Sequence, residues 1–261
     1  MEEYRRIIEG NRAWAARVKA DNPEFFSESA QKQEPLFLYI GCADSRVPSN
    51  SLTGTKPGEL FVHRNIANLV MPSDINAMSV LQYAVDVLDV KHILVTGHYG
   101  CGGVKAAMSN QQHGLVDHWL GPIRNVLRWN QQELDAIADP QARFDRLVEL
   151  NVLEQLYHLS ETPIIQQAWA RGRRPLLHGL VYDLKDGLLR EIATGIDSQD
   201  AADHLADRRL SGVPMGPPPI GRVASPILAG EALADDIAAR VIARLGEAAE
   251  SRKPSRERIV R

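Results

Sequence analysis

The sequence predicts an α/β fold: a mainly parallel central sheet flanked by helices, with an extended helix at the N-terminus. Three observations carry that prediction. Short runs rich in Ile, Val, Leu and aromatics, ending on glycine, read as buried strands. They alternate with longer stretches whose apolar residues recur at helical spacing. Around residues 185–187 two further apolar runs flank Lys185-Asp186-Gly187, a hairpin turn signal that adds an antiparallel edge to the sheet.

The elements follow in order. Tyr4, Ile7, Ile8, Trp14, Ala15 and Val18 recur at near-helical spacing, so residues 1–20 are expected to form one amphipathic helix. PLFLYIG at 35–41 is the first strand, and ELFVHR at 59–64, entered through Lys56-Pro57-Gly58, is the second. Asp74 is placed to cap a helix marked by Ile75, Met78, Leu81, Val85 and Leu88. HILVTG at 92–97 is a third strand. The stretch 122–160 reads as two helices broken near Asp139-Pro140, and Pro163 suits the first position of another. PLLHGLVYDL and LLREIAT supply the two arms of the hairpin. Residues 1–211 are expected to form one domain. The segment 212–226 then holds five of the fifteen prolines and reads as a linker. Leu233, Ile237, Val241 and Leu245 mark a short amphipathic helix beyond it, before a basic tail in 212–261 that is expected to be disordered.

Composition narrows the function. With 261 residues, 44% hydrophobic and 24% charged, the chain can bury a real core, which excludes a wholly disordered protein and a disulfide-stapled mini-domain. The formal net charge of −3 offers no basic field for nucleic acid or an acidic membrane. No apolar run approaches the roughly 20 residues of a membrane span. The first twenty residues are charged throughout and lack a secretory apolar core, so the expected address is the cytoplasm. Only two cysteines occur, Cys42 and Cys101, and in that compartment they point to metal binding or catalysis.

Both cysteines fall where a site is expected. Cys42-Ala43-Asp44-Ser45-Arg46 follows the first strand, and His98-Tyr99-Gly100-Cys101-Gly102-Gly103 follows the third. In open α/β sheets, ligands bind beyond the carboxyl ends of the strands. Two thiolates and an imidazole suit Zn²⁺, and three protein ligands leave a fourth position for water or substrate. The glycines permit close backbone approach, and a helix N-terminus after Cys101 favours its thiolate. Plain buried thiols and a transient disulfide are the competing readings, but the disulfide leaves His98 and Asp44 without a role. Asp44 and Arg46 form either a surface ion pair of little value or a carboxylate held ready to ligate zinc or accept a proton.

At these residues a resemblance becomes explicit. CADSRVP, PGELFVHRNIANLV, SVLQYAVDVL, GHYGCGGV and DGLLR, in this order over residues 1–200, resemble a β-class carbonic anhydrase of bacterial type. The resemblance implies one Zn²⁺ per subunit on Cys42, His98 and Cys101, with Asp44 either taking the fourth position or pairing with Arg46. It implies reversible hydration of CO2 to bicarbonate and a proton, by attack of zinc-bound hydroxide on CO2. Gln33, Phe61, Tyr83 and Gly102 match substrate-pocket positions, although Phe61 and Tyr83 also suit ordinary core aromatics. Tyr39, Arg64 and Tyr182 match a regulatory bicarbonate site, with Tyr39 standing where that pattern has Trp. A homodimer or homotetramer paired through the N-terminal helix is implied. Two other readings stay open: a zinc hydrolase of carbonyl sulfide or carbon disulfide, and a non-catalytic module in which zinc is structural.

Overall fold

Strand order follows from how the apolar runs are connected. In the computed structural model residues 1–172 and 175–204 are described, so the linker, helix and tail expected within 212–261 lie outside the described residues. The helices α1 (Glu2–Asp21) and α2 (Phe25–Gln31) lead into strand β1 (Phe37–Cys42). The short α3 (Ser49–Thr53) connects β1 to β2 (Leu60–Asn65). After β2 come α4 (Ile75–Gln82) and β3 (His92–His98). A helical stretch follows: α5 (Gly102–Met108), α6 (Val116–Trp119), α7 (Gly121–Trp129), α8 (Gln131–Ala136), α9 (Pro140–Ser160) and α10 (Pro163–Ala170). The hairpin β4 (Leu176–Tyr182) and β5 (Leu189–Ile196) follows, and residues 199–204 are again helical.

The sheet runs β2-β1-β3-β4-β5. All neighbours are parallel except β4 and β5. The chain leaves β1 toward β2 on one side, then returns to β3 on the other and continues outward to β4. The carboxyl ends of β1 and β3 therefore flank the switch point, where diverging connections open a crevice.

Alternation along the strands sorts side chains between two faces. Leu38, Ile40, Ile93, Val95, Leu177 and Val181 are buried on the face that α9 covers. Leu147, Leu150, Leu153, Leu156 and Leu159 of α9 are buried as well, each contributing about 1.5–3 kcal/mol. Helix and sheet meet most closely at two glycines. A Cβ on Gly97 would stand 2.7 Å from Val152, and one on Gly179 would stand 2.9 Å from the same side chain.

Helix ends carry the expected chemistry. Asp74 accepts from the N–H groups of Asn76 and Ala77, Asp139 accepts from Gln141 and Ala142, and Thr162 accepts from Ile165. Three features differ from the sequence expectation. The helix begun at Asp74 changes at Tyr83 into a single π turn, Tyr83–Val87, closed by the Leu88 N–H on the Tyr83 carbonyl. The stretch before Asp139 is broken again at Asn130, whose side chain donates to the Val126 carbonyl and so competes with the backbone for it. Finally, β1, β2 and β3 each end one residue later than expected, so Cys42 and His98 are themselves strand-terminal residues.

Candidate metal centre

Cys42, His98 and Cys101 converge at the switch point. Their ligand atoms all lie within 4.8 Å of one another, and all three residues are buried. The two sulfurs are 3.9 Å apart. Tetrahedral zinc with Zn–S bonds of about 2.3 Å would set them about 3.8 Å apart. His98 is ordered by its own neighbour, since Nδ1 lies 3.1 Å from the Tyr99 carbonyl and so carries the proton. That leaves Nε2 as the lone-pair nitrogen, buried and without a hydrogen-bond partner. A buried imidazole nitrogen with no partner, facing two sulfurs, is a donor set that fits a thiophilic divalent cation such as Zn²⁺.

The electrostatics are those of a site that needs a cation. Cys42 is driven below the ordinary thiol range, first because its sulfur accepts from the Cys101 thiol, with the N–H groups of Asp44 and Ala67 adding to the effect. Cys101 is driven upward by the same bond and by burial, although the N–H groups of Val104 and Gly103 act against this. One shared proton thus satisfies the pair. Binding through both sulfurs must displace it.

Around the three ligands stands a set of charge-assisted bonds. Arg46 grips Asp44 in bidentate fashion, Nε to Oδ1 at 3.0 Å and Nη2 to Oδ2 at 2.7 Å, and its backbone N–H adds a bond of 2.9 Å to Oδ1. This grip, with Arg46 as the leading cause, holds Asp44 far below the usual carboxylate range. The Asp44 Oδ2 lies 3.8 Å from His98 Nε2, so the carboxylate borders the ligand cluster while paired to Arg46. Arg46 also donates to the Gly100 carbonyl at 3.4 Å, tying the two ligand loops together. Gly102 begins α5 beside Cys101 and is exposed.

The other expected site residues are placed elsewhere. Phe61 and Tyr83 pack with ring centroids 5.8 Å apart, and Gln33 is exposed between α2 and β1. Phe61 is level with Leu38, whereas Asn65 is level with Cys42. Four residues of strand put Phe61 about 13 Å below the metal ligands. One chain does not bring these pocket residues to the site. Tyr39 is fully buried, and its ring lies over Gly41, where any Cβ would collide with it. Burial pushes its phenol up to about 12. Arg64 and Tyr182 sit on β2 and β4, with two strands between them, and no hydrogen bond joins the three. Arg64 instead donates from Nε to the Cys42 carbonyl at 2.9 Å and from Nη2 to the Asp44 carbonyl at 2.7 Å. It braces the loop that carries the first ligand, a role the sequence did not announce. Equally unannounced is the Ala67 N–H, 3.4 Å from the Cys42 sulfur.

Several known proteins are similar to this chain. Residues 37–189 match the family model described as carbonic anhydrase. A carbonic anhydrase of Emericella nidulans is 50% identical over 191 residues, covering 73% of this chain and 84% of its own. One from Pseudomonas aeruginosa is 34% identical over 220 residues, covering 80% and 97%. Among solved structures, a tetrameric β-carbonic anhydrase of Sordaria macrospora superposes with a TM-score of 0.70 at 41% identity, covering 73% of this chain and 97% of that one. The Coccomyxa β-carbonic anhydrase in complex with acetazolamide gives 0.73 at 42% identity, covering 76% and 90%.

Proposed function

This chain belongs to the β-carbonic anhydrase family of enzymes, and from that premise we propose that it holds one Zn²⁺ per subunit on Cys42, His98 and Cys101 and hydrates CO2 reversibly to bicarbonate and a proton. The observation that carries the zinc reading is the buried, unpartnered His98 Nε2 facing two sulfurs at the switch point. When bound, Zn²⁺ supplies a Lewis acid that makes water acidic enough to attack CO2 near neutral pH.

The chain's own residues do the rest. Tyr99 presents its carbonyl to Nδ1 of His98 and so fixes the tautomer that offers Nε2 to the metal. Asp44 places a carboxylate oxygen beside the ligand cluster, where it accepts a hydrogen bond from the attacking water and turns its lone pair toward CO2. Arg46 keeps that carboxylate ionised and off the metal. The Asp44–Arg46 pair argues against a closed module with Asp44 as permanent fourth ligand.

Gln33, Phe61 and Tyr83 join this site only if a second copy brings them. The chain exposes what a second copy would cover: α1 has no buried residue, and Tyr4 and Ile7 are 62% and 63% exposed. A homodimer or homotetramer is therefore part of the proposal, supported by the tetrameric relative from Sordaria macrospora. A cytoplasmic address belongs to it too, since a reducing compartment keeps Cys42 and Cys101 as thiols.

Stopped-flow CO2 hydration by the zinc-loaded protein, with azide as competitor, tests the reading. Turnover that azide suppresses is expected. Stoichiometric zinc without turnover would point to a structural metal and sink the enzymatic proposal.

A further inference from the structure

The turn after β2 is held in an unusual backbone state. Ala67 (φ 63°, ψ 30°) and Asn68 (φ 50°) are consecutive non-glycine residues in the left-handed region. Such conformations persist only where the surroundings over-determine them. Here side chains distant in sequence hold the turn. Trp119 Nε1 donates to the Ile66 carbonyl at 2.8 Å, and Asn151 Nδ2 donates to the Ala67 carbonyl at 3.0 Å. Gln155 Nε2 donates to Asn151 Oδ1 at 3.0 Å while its Oε1 accepts from the Val70 N–H at 2.8 Å. This order of donors and acceptors leaves Asn151 one orientation, amide nitrogen toward Ala67. Asn151, Gln155 and His158 recur at helical spacing on α9, and His158 Nδ1 reaches the Val70 carbonyl at 2.9 Å.

Trp119 holds one peptide plane directly, and Asn151 holds the next one along. The peptide between Ile66 and Ala67 has its carbonyl on the Trp119 indole and its N–H on the Cys42 sulfur, at 2.8 and 3.4 Å. A donor at the carbonyl end polarises the peptide and strengthens its N–H toward sulfur. We infer that Trp119 and Asn151, with Gln155 behind them, are positioning residues: a clamp that keeps the Ala67 N–H on Cys42 and thereby limits how much charge this sulfur donates to the metal. The inference rests on the metal reading above. Its chemical sense is plain, because two thiolates and a neutral imidazole formally cancel the charge of Zn²⁺ and blunt its Lewis acidity. Hydrogen bonds to the sulfurs restore part of it.

The test loads the full chain with Co²⁺ and records the sulfur-to-cobalt charge-transfer bands of wild type, Trp119→Phe and Asn151→Leu. Freed from its N–H bond, the Cys42 sulfur becomes the better donor, so the bands should move to longer wavelength in both variants. The zinc forms should lose kcat several-fold with KM for CO2 unchanged. Trp119 is only partly buried and Phe keeps its aromatic packing, so that variant carries the test should Asn151→Leu fail to fold. Bands present in wild type and unmoved in a folded variant would overturn the clamp alone. Absence of sulfur bands in Co²⁺-loaded wild type would overturn the metal reading and the clamp with it.

Discussion

Arg46 and Asp44 show how much a single pair decides at this site. Arg46 spends two guanidinium nitrogens on the carboxylate and one of them also on the Gly100 carbonyl, so one side chain sets both the charge and the position of Asp44. Removing it leaves a carboxylate 3.8 Å from His98 Nε2 that is held only by the backbone N–H of residue 46. Arg46→Ala is therefore expected to keep stoichiometric zinc while CO2 hydration falls at least tenfold, measured by metal analysis beside stopped-flow rates. A fully active variant would contradict the role given to the pair. At this scale the sequence was legible wherever chemistry is written in residue type: Cys42 and His98 end strands, and Cys101 follows three residues after the second. Arg64 was legible as a cation but not as the brace of the Cys42 loop, because its partners are backbone carbonyls. Asn151 was invisible for a related reason. It acts on a carbonyl 84 positions away, and nothing local marks it except its polarity on a buried helix face.

The elements were mostly read from periodicity, and the misreadings have physical causes. Strand ends moved because a parallel strand buried on both faces has no polar residue to announce its last position, as at Gly41 and Cys42. The break at Asn130 was missed because capping there runs backward, from the Asn130 side chain to Val126. One strand pair carries a pH consequence. His178 on β4 approaches His92 on β3, Nε2 to Nδ1 at 3.0 Å, and its own Nδ1 accepts from the Gly195 N–H of β5 at 3.3 Å. Burial, with His92 adding to it, pushes His178 down to about 4. The unfolded chain protonates this residue near pH 6.5. Between pH 6.5 and 4 the unfolded state thus binds the extra proton, and stability falls as pH falls, by roughly 2–3 kcal/mol across the window. Burial also lowers His158 and His63, which act in the same direction. Urea midpoints taken from pH 7 to 4.5 should drop steadily, and His178→Gln should flatten the slope. An unchanged slope would remove His178 from this account.

For the whole molecule, two kinds of surface matter. The candidate metal ligands are enclosed within one chain, but the expected pocket residue Phe61 stands about 13 Å down the strands from them, with Tyr83 packed against it. Their place in the pocket came from resemblance, and the proposal that a second copy supplies them has no counterpart in the pattern of one chain. The apolar stripe of α1 was legible, whereas the absence of any buried residue on it was not. Sedimentation should accordingly find dimers or tetramers, both for the full chain and for residues 1–211, with equal turnover per zinc. An active monomer would contradict the shared pocket, and inactive but zinc-loaded 1–211 would assign chemistry to 212–261.

The proposed function places CO2 hydration in one metal centre built from Cys42, His98 and Cys101. Its most direct test is a zinc titration of the metal-free protein, followed by the rate of CO2 hydration at each addition. Activity is expected to rise linearly and break at one Zn²⁺ per chain, with Cys42→Ser flat throughout. Hydration that is independent of added zinc, or that Cys42→Ser restores in full, would contradict it.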